Sequence, residues 1–154
     1  MYIPIEEIKQ YLDQSVLCWL ATASIDQMPN VSPKEIFSFY QDQYILIANI
    51  ASPQTVQNIE QNPNVCVSFI DIFVQKGYQL KGTARIISSS DTEFKTLEPS
   101  LLKLTKGQFP FSSITKIKIK SSKKVIAPRY LLYPNTTEED QIKRAQQTYN
   151  KLIN

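Results

Sequence analysis

Residues 44–59 read YILIANIASPQTVQNI and change from strand to helix character within a few positions. The segment 44–49 is predicted to be a buried strand because it is almost continuously apolar. Ser52 and Pro53 then suit the start of a helix, as N-cap and first helical residue. Free N–H groups and the positive end of the helix dipole make such a start a candidate anion site, and Thr55 adds a hydroxyl in the first turn. An ordinary capped helix has the same pattern, so this segment alone does not distinguish an anion site from a simple helix start.

Composition narrows the class of protein. With 154 residues, 42% hydrophobic and 20% charged, the chain is expected to form one globular domain over 1–154. No apolar run is long enough to span a bilayer and the N-terminus lacks the pattern of a signal peptide, so we expect a cytoplasmic protein with no membrane partner. The formal net charge of +3 is too small to indicate a nucleic-acid partner by itself.

The chain has no histidine and two cysteines. The lack of histidine excludes histidine acid–base chemistry, Ser-His and Cys-His nucleophile pairs, and histidine-ligated zinc or haem. Cys18 and Cys66 lie in apolar runs, which predicts inert buried thiols, and two cysteines are too few for a cysteine-only zinc site. We therefore predict no metal site, and any enzymatic chemistry would come from a cofactor.

Hydrophobic patterns predict a mainly β protein with flanking helices. Six strands are predicted in hairpin order, which favours an antiparallel barrel or strongly curled sheet. Four helices are predicted. The first covers about 4–14, the second starts at Ser52, the third covers about 91–106 with Ser90 as its N-cap, and the fourth lies at the C-terminus. The predicted strands are 16–25, 30–40, 44–49, 65–73, 78–88 and 114–121.

The C-terminal helix is predicted over 136–153. Thr136 and Glu139 have the spacing of a capping box. One apolar stripe is equally suited to cover the chain's own barrel or a partner subunit. Its members are Ile142, Ala145, Tyr149 and Leu152.

Five segments have an order and spacing that resemble one protein family. They are LATA (20–23), PNVSPKE (29–35), IANIASPQTVQNI (47–59), NPNVCVSF (62–69) and LKGTARI (80–86). Together they resemble the FMN-binding split-barrel proteins related to pyridoxamine 5′-phosphate oxidase, well over residues 12–88 and more loosely through the terminal helix. The resemblance implies a six-stranded antiparallel split β-barrel that forms a homodimer, with two FMN sites at the subunit interface.

The resemblance also implies where the FMN phosphate is held: at the strand-to-helix corner and by polar residues of neighbouring strands. It singles out no catalytic residue. An ordinary surface lysine or a solvated sheet face would equally explain the lysines among the matching positions. These positions are Ser32, Lys34, Asn49, Ile50, Ser52, Gln54, Thr55, Asn58 and Lys81.

Two departures from the family pattern affect the expected function. Gln54 stands where many relatives have Lys or Arg, and loss of one charge-assisted hydrogen bond would weaken FMN binding by about 1–2 kcal/mol. The substrate-binding C-terminal region of the enzyme that names the family, arginine-rich and beside a tryptophan, has no counterpart here, since the only tryptophan is Trp19. Oxidation of pyridoxamine phosphate is therefore not expected.

Several functions remain open from the sequence. The first is a flavin-dependent oxidoreductase acting on a small molecule, and a deazaflavin-dependent reductase is a close variant. A flavin carrier or sensor without turnover is the second. The third is a basic β-barrel that binds nucleic acid through a lysine-rich strand, although lysines that discourage edge pairing explain the same pattern. These lysines are Lys116, Lys118, Lys120, Lys123 and Lys124.

Overall fold

The structure is a computed structural model that describes residues 2–154. Within this range the chain forms seven strands and five helices. In chain order they are α1 (Ile5–Gln14), β1 (Cys18–Ala23), β2 (Pro29–Lys34), β3 (Phe37–Tyr40), β4 (Tyr44–Ala48), α2 (Pro53–Gln61), β5 (Asn64–Asp71), β6 (Lys76–Ser88), α3 (Phe94–Thr105), β7 (Ser113–Ile126), α4 (Pro128–Leu132) and α5 (Glu138–Ile153). No helix in this range is both long and apolar enough to cross a membrane.

All seven strands belong to one sheet, in the order β2-β1-β5-β6-β7-β4-β3. Every neighbouring pair is antiparallel. β2 and β3 lie at opposite edges of the sheet, although only Glu35 and Ile36 separate them in the chain. The two edges must therefore approach each other, and the sheet curls into a half-open barrel. The predicted antiparallel split barrel with flanking helices is confirmed.

The strand count differs from the prediction because the segment 30–40 forms two strands. β2 pairs with β1, whereas β3 pairs with β4. The chain changes edge between Lys34 and Phe37, and the Ile36 carbonyl accepts a hydrogen bond from the Ala48 N–H at 3.0 Å. A continuous strand-like pattern does not reveal which neighbour each half pairs with. The last predicted strand, 114–121, is also longer and ends at Ile126.

Two hydrophobic cores lie on opposite faces of the sheet. The first fills the inside of the curl and is covered by α1 and the end of α2. It includes Ile8, Leu12, Leu20, Ile45, Ile47, Ile59, Val67, Phe69 and Leu80. The second lies between the outer face of β4 and β7 and helix α3. It includes Ile36, Leu46, Ile87, Leu97, Leu101 and Ile114.

The starts of α3 and α5 differ from the predictions. α3 begins at Phe94, and the hydroxyl of Ser90 lies 2.6 Å from that of Ser88, so it does not cap the helix. The capping box of α5 is formed by Thr137 and Asp140, one residue later than predicted: the Asp140 N–H donates to Thr137 Oγ1 at 3.1 Å. The sequence TTEED supplies suitable residues in both registers, so spacing alone could not choose.

Helix α5 covers its own barrel with the first part of its apolar stripe. Ala145 is buried and Ile142 packs against the first core. The ring of Tyr149 meets that of Phe73 edge-on, with centroids 6.2 Å apart. Leu152 is 77% exposed, so the end of the stripe has no cover within the chain.

The capping register can be tested with two neighbouring threonines. Thr137→Ala should lower the free energy of unfolding by about 1 kcal/mol, because the Asp140 N–H loses its acceptor. Thr136→Ala is the matched control and should change it by less than about 0.5 kcal/mol. Urea unfolding followed by circular dichroism measures both. A larger loss for Thr136→Ala would contradict the register.

Candidate functional site

The candidate site is the corner between strand β2 and the start of helix α2. Ser32 and Lys34 alternate along β2 and lie on the same side of the sheet, toward α2. The turn before α2 contains Ala51 with φ of 50°, in the left-handed region that only glycine adopts freely. Such a conformation costs about 1–3 kcal/mol and is common where a chain must hold a ligand-binding geometry.

Two hydroxyl groups contact the ammonium group of Lys34, and a third lies next to one of them. Lys34 is only 5% exposed, and its Nζ donates to Ser52 Oγ at 2.5 Å and to Thr55 Oγ1 at 3.5 Å. The hydroxyl of Ser32 lies 3.2 Å from Thr55 Oγ1. The structure therefore brings together four of the predicted site residues in one contiguous cluster.

The charge of Lys34 has no counter-ion in the structure. Lys34 takes part in none of the ion pairs found among residues 2–154. Burial lowers the pKa of Lys34 from its ordinary value, because the charged form is separated from water. The adjacent start of α2 is also electrically positive. Two positive features with no anion between them are unfavourable, and a bound anion would relieve both.

Ser52 occupies the N-cap position of α2, but its side chain does not cap the helix. Its hydroxyl donates instead to the Ile50 carbonyl at 3.0 Å and accepts the hydrogen bond from Lys34. The prediction of a serine-capped helix start is wrong in this respect. A hydrogen bond from an ammonium group is stronger than one from a neutral amide, which explains why the hydroxyl turns toward Lys34.

Gln54 and Asn58 form hydrogen bonds that connect helix α2 to strand β1. The Gln54 amide donates to Asn58 Oδ1 at 2.8 Å, and the Asn58 amide donates to Thr22 Oγ1 at 2.9 Å. These bonds tie α2 to β1. Gln54 thus carries no charge to the corner, and Lys34 supplies a cation there from the neighbouring strand. Thr22 was not among the residues predicted from the sequence, although its position two residues after the buried Leu20 of the same strand was an available signal.

Asn49 and Ile50 lie at the end of β4 and have different surroundings. The Asn49 amide donates to Ser113 Oγ at 3.0 Å, and its oxygen accepts from Thr115 Oγ1 at 2.7 Å, so it ties β4 to β7. Ile50 lines a cavity of about 270 Å³ next to the corner. The walls of this cavity are mostly apolar: Leu17, Pro33, Lys34, Glu35, Ile36, Ala48, Ile50 and Phe109.

Lys81 lies on the other face of the sheet. It pairs with Cys66, which pairs with Ala21, which in turn pairs with Val31. Directly opposed residues share a face, whereas Val31 and the adjacent Ser32 point to opposite faces. A single chain therefore does not bring Lys81 to the corner. Its role in the site stays a prediction that requires a second subunit.

The cysteines are not activated as nucleophiles. Burial raises the pKa of Cys18 to about 12 and also raises the pKa of Cys66. Within residues 2–154, no group of three or more His, Cys, Asp or Glu side chains is placed to hold a metal ion.

Comparison with known proteins gives the family. A family model described as pyridoxamine 5′-phosphate oxidase matches residues 4–141. The chain belongs to the pyridoxamine 5′-phosphate oxidase family. The match includes the whole corner and ends within helix α5. No curated protein sequence gives a significant match.

Solved structures share the fold at low sequence identity. HupZ from Group A Streptococcus aligns over 82% of this chain and 99% of its own, with 22% identity and a TM-score of 0.67. An FMN-binding protein from Syntrophomonas wolfei subsp. wolfei aligns over 80% and 86%, with 15% identity and a TM-score of 0.66. An F420 reductase aligns over 80% and 98%, with 17% identity and a TM-score of 0.59. At these identities the likeness shows the fold alone.

The uncompensated charge of Lys34 predicts a pH dependence of stability. Because folding lowers the pKa of Lys34, the cost of burying its charge is complete below the folded pKa and absent above the ordinary value of 10.5. In the ligand-free protein, the stability of the wild type relative to Lys34→Met should therefore rise between pH 7 and pH 10. Urea unfolding at several pH values measures this difference.

The exposed Lys95→Met provides the control, and its difference from the wild type should stay nearly constant over the same range. A constant difference for Lys34→Met as well would show that the charge of Lys34 is already compensated in the folded protein.

Proposed function

We propose that the corner binds the phosphate group of FMN. The observation that carries this proposal is the buried ammonium of Lys34, which faces the start of α2. It donates to the hydroxyls of Ser52 and Thr55, a third hydroxyl from Ser32 lies beside Thr55, and no carboxylate is among its partners. A phosphate dianion supplies the missing negative charge for both Lys34 and the helix dipole. Ser32, Ser52 and Thr55 can each donate a hydroxyl hydrogen bond to its oxygens.

The cavity beside the corner is the proposed place for the flavin ring. It shares Lys34 and Ile50 with the corner, and its remaining walls are largely apolar. Apolar walls suit a flat aromatic ring that carries a few polar groups at its edge. When bound, the flavin would supply hydride or electron transfer, while the protein holds the phosphate, orients the ring and excludes water from one of its faces.

Family membership and one structural relative support the choice of cofactor. The chain belongs to the pyridoxamine 5′-phosphate oxidase family, and the protein from Syntrophomonas wolfei is described as FMN-binding. The likeness to an F420 reductase keeps a deazaflavin as the second candidate. The visible absorbance of the purified protein with each ligand distinguishes the two.

The phosphate site can be tested by comparing FMN with riboflavin, which lacks the phosphate. Lys34→Met should weaken FMN binding about 10- to 100-fold, because it removes a charge-assisted hydrogen bond worth about 1.5–3 kcal/mol. Riboflavin affinity should change little. Quenching of flavin fluorescence during titration measures both affinities.

Lys95→Met is the matched control for FMN, since it removes one exposed lysine far along the chain. Equal losses of FMN and riboflavin affinity in Lys34→Met would place the phosphate elsewhere. An unchanged FMN affinity in Lys34→Met would also place the phosphate elsewhere.

We also propose that two chains form a homodimer through the outer face of β1, β2 and β5. Large apolar side chains are exposed there: Trp19 is 47% exposed and Val31 57%, and Phe73, in the turn that follows β5, is 42% exposed. Lys81 lies on the same face, so a second subunit is the means by which it could approach a flavin. Contiguous exposed apolar surface of this kind is typical of subunit interfaces.

The dimer proposal is tested by one charged substitution on this face. Val31→Glu should convert the dimer to a monomer, because it buries a carboxylate in an apolar interface. Leu132→Glu is the control, since Leu132 is 72% exposed on α4. Light scattering after size-exclusion chromatography measures the mass. A monomeric wild type, or a dimeric Val31→Glu, would overturn the proposal.

For the reaction, we propose electron exchange between the bound flavin and a small molecule. Anaerobic reduction of the flavin by NADH or NADPH would support an oxidoreductase, and failure with several donors would favour a carrier or sensor. The nucleic-acid alternative has less support. Lys116 is paired with Glu93 and Lys124 with Glu7, so two lysines of the basic strand already have counter-ions.

A further inference from the structure

The cavity beside the corner has one aromatic side chain in its lining, that of Phe109. This residue lies in the loop 106–112, which connects helix α3 to strand β7. The other lining residues come from the ends of strands and the turns next to them, and all of them except Lys34 and Glu35 are aliphatic. Phe109 is therefore the only lining residue that can place an aromatic face against a bound ring.

Hydrogen bonds hold the start of this loop against the end of α3. Thr105 is buried, and its Oγ1 accepts from the Gly107 N–H at 3.2 Å. The Gln108 N–H donates to the Thr105 carbonyl at 2.9 Å. Lys106 and Gly107 have φ of 50° and 73°, the left-handed conformation that commonly ends a helix. The first residues of the loop are thus held in one conformation.

The end of the loop is held by the second core. Phe111 packs against that core, and its ring centroid lies 6.1 Å from that of Phe94. Ile36 and Ala48 belong to the same core and also line the cavity. The loop therefore borders the cavity from the side of α3, whereas Lys34 borders it from β2.

Phe109 lies between these two anchors and packs in neither hydrophobic core. It is 42% exposed, whereas Phe111, only two residues later, packs against the second core. In the part of the chain that the structure describes, its ring pairs with no other aromatic ring. Pro110 follows it, and a residue before proline is restricted to extended backbone conformations. The half-exposed ring is thus held at the cavity with little backbone freedom to lose on binding.

This arrangement suits a ligand with a flat aromatic ring. Aromatic rings stack face to face with a lateral offset, and this geometry stabilises a pair beyond the burial of its apolar area. The aliphatic side chains of the cavity supply contacts of a less directional kind. A flavin ring in the cavity would cover the exposed part of Phe109 and give its face the partner that it lacks within the chain.

We propose that Phe109 stacks on the flavin ring and holds it in the cavity. This inference rests on the proposed function and adds to it a residue that binds the ring, whereas Lys34 binds the phosphate. Two elements then divide the binding of the cofactor: strand β2 with the start of α2 for the phosphate, and the loop 106–112 for the ring. A deazaflavin ring is also flat and tricyclic, so the same residue would serve it.

The proposal is tested by the affinities of Phe109→Ala for FMN and riboflavin, measured by isothermal titration calorimetry. Both affinities should fall about tenfold or more, because the two ligands have the same ring. The ratio of the two affinities should therefore equal that of the wild type. Lys34→Met should change this ratio instead, since it removes a contact to the phosphate alone.

Two conservative substitutions separate stacking from simple apolar contact. Phe109→Tyr keeps the aromatic face and should bind both flavins within about twofold of the wild type. Phe109→Leu keeps an apolar side chain without that face and should bind both about threefold or more weakly. Affinities of Phe109→Leu equal to those of the wild type would overturn the stacking proposal.

Tyr133→Ala is the control variant. Tyr133 is 58% exposed at the end of α4, so its removal takes away an exposed aromatic ring that does not line the cavity. Its affinities for FMN and riboflavin should equal those of the wild type. Circular dichroism of each variant verifies that it is folded.

The failures of the two proposals are distinguishable. If the wild type binds FMN and Phe109→Ala binds both flavins equally well, only the role of Phe109 is overturned. A loss of FMN affinity without a loss of riboflavin affinity in Phe109→Ala would also overturn it, because the residue would then act on the phosphate. A wild type that binds neither flavin would overturn the proposed function, and the role of Phe109 with it.

Discussion

The organisation of the candidate site depends on one buried ammonium group. Lys34 lies beside the positive start of α2 with hydroxyls, and no carboxylate, as partners. Removing this charge from water costs free energy, and an anion bound in the corner would offset that cost. The same charge explains why Ser52 turns away from the helix that it was expected to cap.

Lys34 reaches this position because the chain passes from one edge of the sheet to the other. Its strand pairs with β1, and two residues later the next strand pairs with β4. This crossing closes the curl of the sheet and gives the two faces separate cores. It also produces the kink at Glu35, which lines the cavity beside the corner. The architecture and the candidate site therefore have a common structural origin.

The corner contains a cation although Gln54, at its helix start, is neutral. The amide of Gln54 donates to Asn58 instead of facing an anion site. The ammonium group of Lys34 reaches the same corner from strand β2 rather than from the helix. The electrostatic requirement for binding a phosphate concerns the field at the site, and a cation can meet it from any element that reaches there.

Local signals were enough to predict the class of the fold and the helix start at Pro53 with Ser52 and Thr55, because alternation, proline and serine act over a few residues. Ser32 and Lys34 were added only by the resemblance to the family. The sequence did not determine that the segment 30–40 divides between two edges, since strand patterns are the same whichever neighbour pairs with them. The predicted capping residue of α5, Thr136, was wrong by one position, because Thr136 and Thr137 both have suitable partners three residues on. The burial of Lys34 and the outward position of Lys81 follow only from the folded arrangement, since burial depends on the elements that cover each face of the sheet.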